Sequence, residues 1–138
     1  MSDRSFVDTN ILLYARDASE PGKQQVAATL MKKLWEERSG RLSIQVLNEY
    51  FVNVTRKLKP GLSLPAAWEE VSDLMLWRPV VLNENLMTDG YSIHVRYGLS
   101  WWDSLIVAGA VAAGCQRILS EDLSSGQIYA GVEVVNPF

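Results

Sequence analysis

Four acidic residues are harder to dismiss as ordinary surface charge than the rest, namely Asp8, Glu49, Asp103 and Asp122. Asp8 follows the apolar run Ser5-Phe6-Val7 and precedes Thr9-Asn10-Ile11-Leu12-Leu13-Tyr14. Glu49 lies within the mostly apolar stretch 44–52, and Asp103 sits between Trp101-Trp102 and Ser104-Leu105-Ile106-Val107. Asp122 comes two residues after Arg117-Ile118-Leu119-Ser120. Four carboxylates brought together repel one another, each pair at about 4 Å costing on the order of 4 kcal/mol at an effective dielectric near 20. Bound protons or a divalent cation must then neutralise them. An all-oxygen set suits Mg²⁺ or Mn²⁺ and matches zinc or copper poorly. Such ions serve phosphodiester cleavage by activating water and stabilising the leaving oxygen.

Each acid also has an ordinary explanation. Asp8 can cap a following helix, and Asp103 can stabilise the first turn of one. Asp122 can be a loop acid. Glu49 is the hardest to set aside, since an unpaired carboxylate in so apolar a segment is costly; Arg16 or Arg56 can pair with it. Glu36, Glu37, Glu69 and Glu70 need no special account, lying in charged or helix-starting settings.

The elements that must position these acids alternate between short apolar runs and longer helical patterns, which predicts a parallel α/β sheet. Ser5 to Asp8 reads as a strand ending in an acid, Ile11 to Arg16 as a helix, and Ser19-Glu20-Pro21-Gly22 as a turn. Val26, Leu30, Leu34 and Trp35 recur at helical spacing within Lys23 to Arg38. Leu42-Ser43-Ile44 reads as the second strand, followed by a helix from about Val46 to Leu58. Ser63 caps the next helix, and Pro79 to Leu82 reads as the third strand. Helices are expected over Glu84 to Tyr97 and Trp101 to Ala113. Arg117 to Ser120 and Val132 to Val135 complete five strands. In such a sheet all carboxyl ends share one edge, outside which ligands bind. Asp8 and Asp122 leave strands at that edge, while Glu49 and Asp103 fall near the starts of helices. All four can converge.

The 138 residues suit one compact domain, expected to span 1–138. Hydrophobic residues at 48% and charged residues at 21% exclude disorder and low-complexity classes. The longest apolar stretch, Leu105 to Gly114, falls short of the roughly 20 residues that cross a bilayer. No signal-peptide pattern follows the N-terminus, and the one cysteine, Cys115, forbids an internal disulfide, so a cytoplasmic protein is expected. Net charge is −3, so general electrostatics would not hold nucleic acid; any such contact is local or made through bound cations.

Taken together, Phe6-Val7-Asp8-Thr9-Asn10-Ile11-Leu12, Glu49, Trp102-Asp103-Ser104-Leu105-Ile106 and Leu119-Ser120-Glu121-Asp122-Leu123 resemble a PIN domain. The likeness is closest to the VapC-type toxin ribonucleases of bacterial toxin–antitoxin pairs, and it extends over essentially the whole chain. It implies a three-layer α/β/α fold with a parallel five-stranded sheet. It implies that Asp8, Glu49, Asp103 and Asp122 bind Mg²⁺ or Mn²⁺ and direct RNA hydrolysis, leaving a 3′-hydroxyl and a 5′-phosphate. Asn10 matches a polar residue that supports the first Asp, and Ser120 a hydroxyl position near the last acid. Glu121 adjoins Asp122 and either can present the fourth carboxylate; the spacing from the strand favours Asp122. The family further implies an RNA substrate, a cognate antitoxin that covers the active-site groove, a homodimer, and no membrane.

Other motifs add little. His94, the one histidine, has no nucleophile–base arrangement and reads as a helix-surface residue. Of the adjacent Trp101 and Trp102, one packs inward and the other faces outward. No G-x-x-x-x-G-K-[ST] phosphate loop and no G-x-G-x-x-G fingerprint after a strand occurs. An aspartyl-nucleophile phosphatase would carry a second Asp where this chain has Asn10. The reading that competes with an RNA-cleaving toxin is a non-cleaving module that grips RNA or protein, with a DNA-directed nuclease third.

Overall fold

In the computed structural model, which describes residues 3–138, the chain alternates strands and helices around one five-stranded sheet. The strands are β1 (Ser5–Val7), β2 (Gly40–Arg41), β3 (Arg117–Leu119), β4 (Ile128–Tyr129) and β5 (Val132–Val135), in the order β2-β1-β3-β5-β4. The helices are α1 (Thr9–Tyr14), α2 (Pro21–Glu37), α3 (Ile44–Arg56), α4 (Leu64–Leu74), α5 (Glu84–Tyr97) and α6 (Trp101–Ala112), with a 3₁₀ turn at Met75–Trp77. The result is a three-layer α/β/α fold. No described helix is long and apolar enough to cross a membrane.

Local chemistry sets most helix starts. Asp8, Ser43, Ser63, Asn83 and Ser100 each accept a backbone N–H from the first turn that follows, relieving donors the helix leaves unpaired. Ser43 therefore starts α3 at Ile44, and the second strand lies just before it, at Gly40–Arg41, instead of at Leu42–Ile44. Pro21 and Gly22 likewise belong to the first turn of α2, where a proline costs no hydrogen bond.

The segment Pro79 to Leu82 does not form a strand of its own. Only a bridge between Ser43 and Val80 is made, with Val80 N–H donating to Leu42 and Ile44 N–H to Val80. Pro79 has no N–H to extend the ladder, and Asn83 at once begins a helix. The fifth strand is instead β4, joined to β5 through Ala130 and Gly131, both at positive φ (51° and 83°). Two residues at positive φ make the tight hairpin turn that matches strand twist, and so short a link forces antiparallel pairing. The other pairings are parallel.

α5 and α6 pack together on one side, and α6 runs over the sheet with Gly109 against the Phe6 ring. Gly90 serves this packing, since a Cβ there would lie 2.8 Å from Leu105 Cδ2. α1 to α4 pack against one another as the second helical group. What matters for the site is one register. Val7 pairs with Leu119, and Asp8 N–H donates to the Leu119 carbonyl at 3.0 Å. Asp8 and Ser120 thus leave the sheet side by side.

Candidate active site

Asp8, Asn10, Ser120 and Asp122 meet where β1 and β3 end. The Ser120 hydroxyl, wholly buried, donates to Asp8 Oδ2 at 2.8 Å and accepts the Asp122 N–H at 3.1 Å. Asn10 Nδ2 lies 3.3 Å from Asp8 Oδ2 and 3.2 Å from Asp122 Oδ2, so one amide spans both carboxylates. Its Oδ1 accepts the Glu121 N–H at 3.0 Å, which fixes the loop that carries Asp122. Asp8 also caps α1 through Oδ1, 2.8 Å from Thr9 N. The capping role and the site role fall on the same side chain.

Glu49 joins through a residue the sequence did not single out. Thr9 Oγ1 donates to Glu49 Oε2 at 2.8 Å. Gln45 Nε2 donates to Glu49 Oε1 at 3.3 Å and to the Trp102 carbonyl at 3.4 Å, linking α3 to the start of α6. Gln45 stands one turn before Glu49, so helical spacing was the signal for it; Thr9, between Asp8 and Asn10, carried none beyond its position. Neither arginine considered for Glu49 pairs with it. Arg16 binds Glu70 at 2.6 Å instead. Glu121 is drawn away by Lys23, 2.6 Å from its Oε1, and Asp122 is the acid held by Asn10.

Asp103 is the member the network does not reach directly. It lies in the first turn of α6, its N–H donating to Ser100 Oγ at 3.1 Å. Its tie to the others is its neighbour Trp102, whose carbonyl takes the Gln45 amide. His94 is half-buried, not on the surface: its Nδ1 lies 2.5 Å from the Leu99 carbonyl and its ring meets Trp101 edge-on. Trp102 is the exposed tryptophan of the pair, at 61%.

Electrostatics mark Asp8 as the strained group. Burial, helped by the charges of Asp122 and Glu49 and opposed by the hydrogen bonds from Ser120 and Thr9, raises its carboxyl to about 6. Among the described residues, no Lys, Arg or His forms an ion pair with Asp8, Glu49, Asp103 or Asp122. A buried carboxylate with acidic neighbours and no cationic partner fits a divalent cation, and the donors are all oxygen. Among the described residues, no three His, Cys, Asp or Glu side chains form a ready-made metal cage. Mg²⁺, which is bound through one or two carboxylates and keeps several waters, would be held by Asp8 and Asp122, the two acids joined at the sheet edge.

Ser120 is testable apart from activity. Ser120→Ala removes a donor to Asp8 and leaves the Asp122 N–H without its acceptor. Urea denaturation should show a loss of about 1–3 kcal/mol, with Asp8 titrating at a higher pH because its charged form has lost a hydrogen bond. Unchanged stability would mean that the hydroxyl is dispensable.

Comparison with known proteins follows the same lines. A family model described as PIN domain matches residues 5–128. Among solved structures, the chain is similar to VapC20 of Mycobacterium tuberculosis, described as a toxin that cleaves the sarcin–ricin loop. The TM-score is 0.63 at 19% identity, covering 94% of this chain and 98% of that one. No curated protein sequence matches.

Proposed function

The chain belongs to the PIN domain family, and on that footing we propose that it is a metal-dependent endoribonuclease, the toxin of a toxin–antitoxin pair. The observation that carries this reading is the joining of Asp8 and Asp122 through Asn10 and Ser120 at the sheet edge, with no basic partner for either acid among the described residues. In this reading Asp8, Glu49, Asp103 and Asp122 would hold Mg²⁺ or Mn²⁺, Asp103 reaching in from the first turn of α6. The bound ion supplies charge stabilisation at the phosphate and eases deprotonation of water. The chain's own part is positional. Ser120 and Asn10 orient Asp8 and Asp122, Thr9 fixes one oxygen of Glu49, and Gln45 ties that glutamate to the helix bearing Asp103. The products expected are a 3′-hydroxyl and a 5′-phosphate.

In this reading residues 1–138 act as a single domain in the cytoplasm, pair as a homodimer, and are silenced by a small antitoxin protein covering the groove. The competing reading is a non-cleaving RNA- or protein-binding module, in which the Asn10 amide between Asp8 and Asp122 serves only to fix the loop.

One experiment separates the two. A structured RNA pool, including a sarcin–ricin-loop oligonucleotide of the kind VapC20 cleaves, is incubated with the protein beside DNA of the same sequence. RNA should be cut with the stated end groups, and DNA left intact. Asp103→Asn should lower the rate by on the order of 10²-fold with an unchanged circular dichroism spectrum. RNA bound but never cut would favour the module, and activity that merely tracks the folded fraction would remove Asp103 from the mechanism.

A further inference from the structure

A cleft of about 490 Å³, lined by Trp35, Arg38, Arg41, Leu76, Trp77 and Arg78, opens at the other edge of the sheet. Register places it there. Gly40 pairs with Ser5, so Arg38 lies beyond the amino end of the strands while Asp8 leaves their carboxyl end. Among the described residues the ion pairs use Arg16, Lys23, Lys32 and Arg117, and none of the three cleft arginines. In a chain of net charge −3, three arginines with no carboxylate partner among the described residues line one hollow and concentrate positive charge there.

The arginines are also held in place. Arg41 Nη1 donates to the Arg38 and Gly40 carbonyls at 3.2 and 2.7 Å, which directs its guanidinium. Arg38 and Arg78 occupy left-handed backbone, with φ of 56° and 55°, where glycine is favoured. Both close a helix end, Arg38 that of α2 and Arg78 that of the 3₁₀ turn, so capping fixes the points from which their side chains leave the backbone. The aromatic wall is available too: Trp35 lies against Trp77 at 5.1 Å between ring centres and is 37% exposed. Guanidinium forks match phosphate oxygens, and an indole face stacks a base. An acidic peptide would satisfy the arginines but leave the indole unused.

We propose that this cleft anchors single-stranded RNA, with phosphates on Arg38, Arg41 and Arg78 and a base on Trp35, at the sheet edge opposite the cutting site. Its biological purpose rests on the ribonuclease reading, but the binding itself does not.

The test uses a fluorescein-labelled single-stranded oligoribonucleotide and the full chain in EDTA, with anisotropy followed across salt concentrations. Arg38→Gly/Arg78→Gly puts the favoured residue at both left-handed positions, so the fold should hold or gain thermal stability. RNA affinity should nevertheless fall about 10-fold or more, and the slope of log affinity against log salt by about 1 to 2. Lys57→Gln/Lys59→Gln removes the same charge elsewhere and should change little. Unchanged affinity, or an equal loss in both double variants, would overturn the site. A polyglutamate peptide that binds as tightly as RNA and is lost in the same arginine variant would make it a protein-docking surface, and overturn the RNA assignment. Should metal-supplied protein fail to cut RNA while the arginine dependence of binding stands, the ribonuclease reading alone falls.

Discussion

Asp8→Asn is expected to lower RNA cleavage by on the order of 10³-fold while making the metal-free fold more stable at neutral and alkaline pH. Burial, with repulsion from Asp122 and Glu49, raises this carboxyl from 3.8 to about 6 in the folded chain. A carboxyl raised in the folded state contributes stability through its protonated form. That contribution is full below about pH 3.8 and is lost as pH rises through about 6. Above that window the buried charge costs about 1–3 kcal/mol, at about 1.4 kcal/mol per pK unit. An amide has no charge to bury. It keeps an oxygen for the Thr9 N–H, but its nitrogen replaces the acceptor of the Ser120 hydroxyl and the Asn10 amide, which offsets part of the gain. Urea denaturation without metal should therefore find Asp8→Asn more stable than wild type by about 1–3 kcal/mol at pH 8, with the gap closing near pH 4. Added Mg²⁺ should stabilise the wild type and leave the variant unmoved. A variant that gains no stability between pH 4 and 8 would show that Asp8 is not strained.

Asn10→Ala should act on the same centre by a different route. Its Nδ2 is the donor between Asp8 and Asp122, and its Oδ1 holds the Glu121 N–H. Without it the two carboxylates face each other unscreened, and the loop bearing Asp122 loses its anchor to α1. Groups that orient metal ligands are typically worth 10–100-fold in affinity or activity, and a loss of that size is expected here. The midpoint for Mg²⁺ or Mn²⁺ activation should rise, and higher metal should recover part of the rate, which simple unfolding would not allow. An unchanged midpoint would reduce Asn10 to a structural contact.

The convergence of Asp8 with Ser120 and Asp122 was legible because it needs only two facts: parallel strands, and acids just beyond their carboxyl ends. Thr9 was not, since its bond to Glu49 spans 40 positions and a threonine beside a helix cap has many ordinary uses. The Lys23–Glu121 pair, 98 positions apart, was hidden for the same reason, although it decides which of two adjacent acids is left for Asn10. Pro79 to Leu82 misled because its apolar run satisfies strand periodicity while Pro79 breaks the ladder. Ile128–Tyr129 escaped notice because two residues show no period. Its hairpin is set by Ala130 and Gly131, and alanine rarely marks a positive φ. Gly90 within α5 marks the close approach to α6, a contact 15 positions away in sequence at Leu105 that no local pattern announces.

The most direct trial of the proposed metal-dependent ribonuclease activity is a metal titration of RNA cleavage by the purified chain. The protein is stripped with EDTA, and Mg²⁺ or Mn²⁺ is then returned stepwise while cleavage and thermal stability are read on the same samples. Cleavage that vanishes in EDTA, returns with metal in step with the rise in melting temperature, and stays absent in Asp8→Asn is the expected result. Cleavage undiminished in EDTA, or equal in Asp8→Asn, would contradict it.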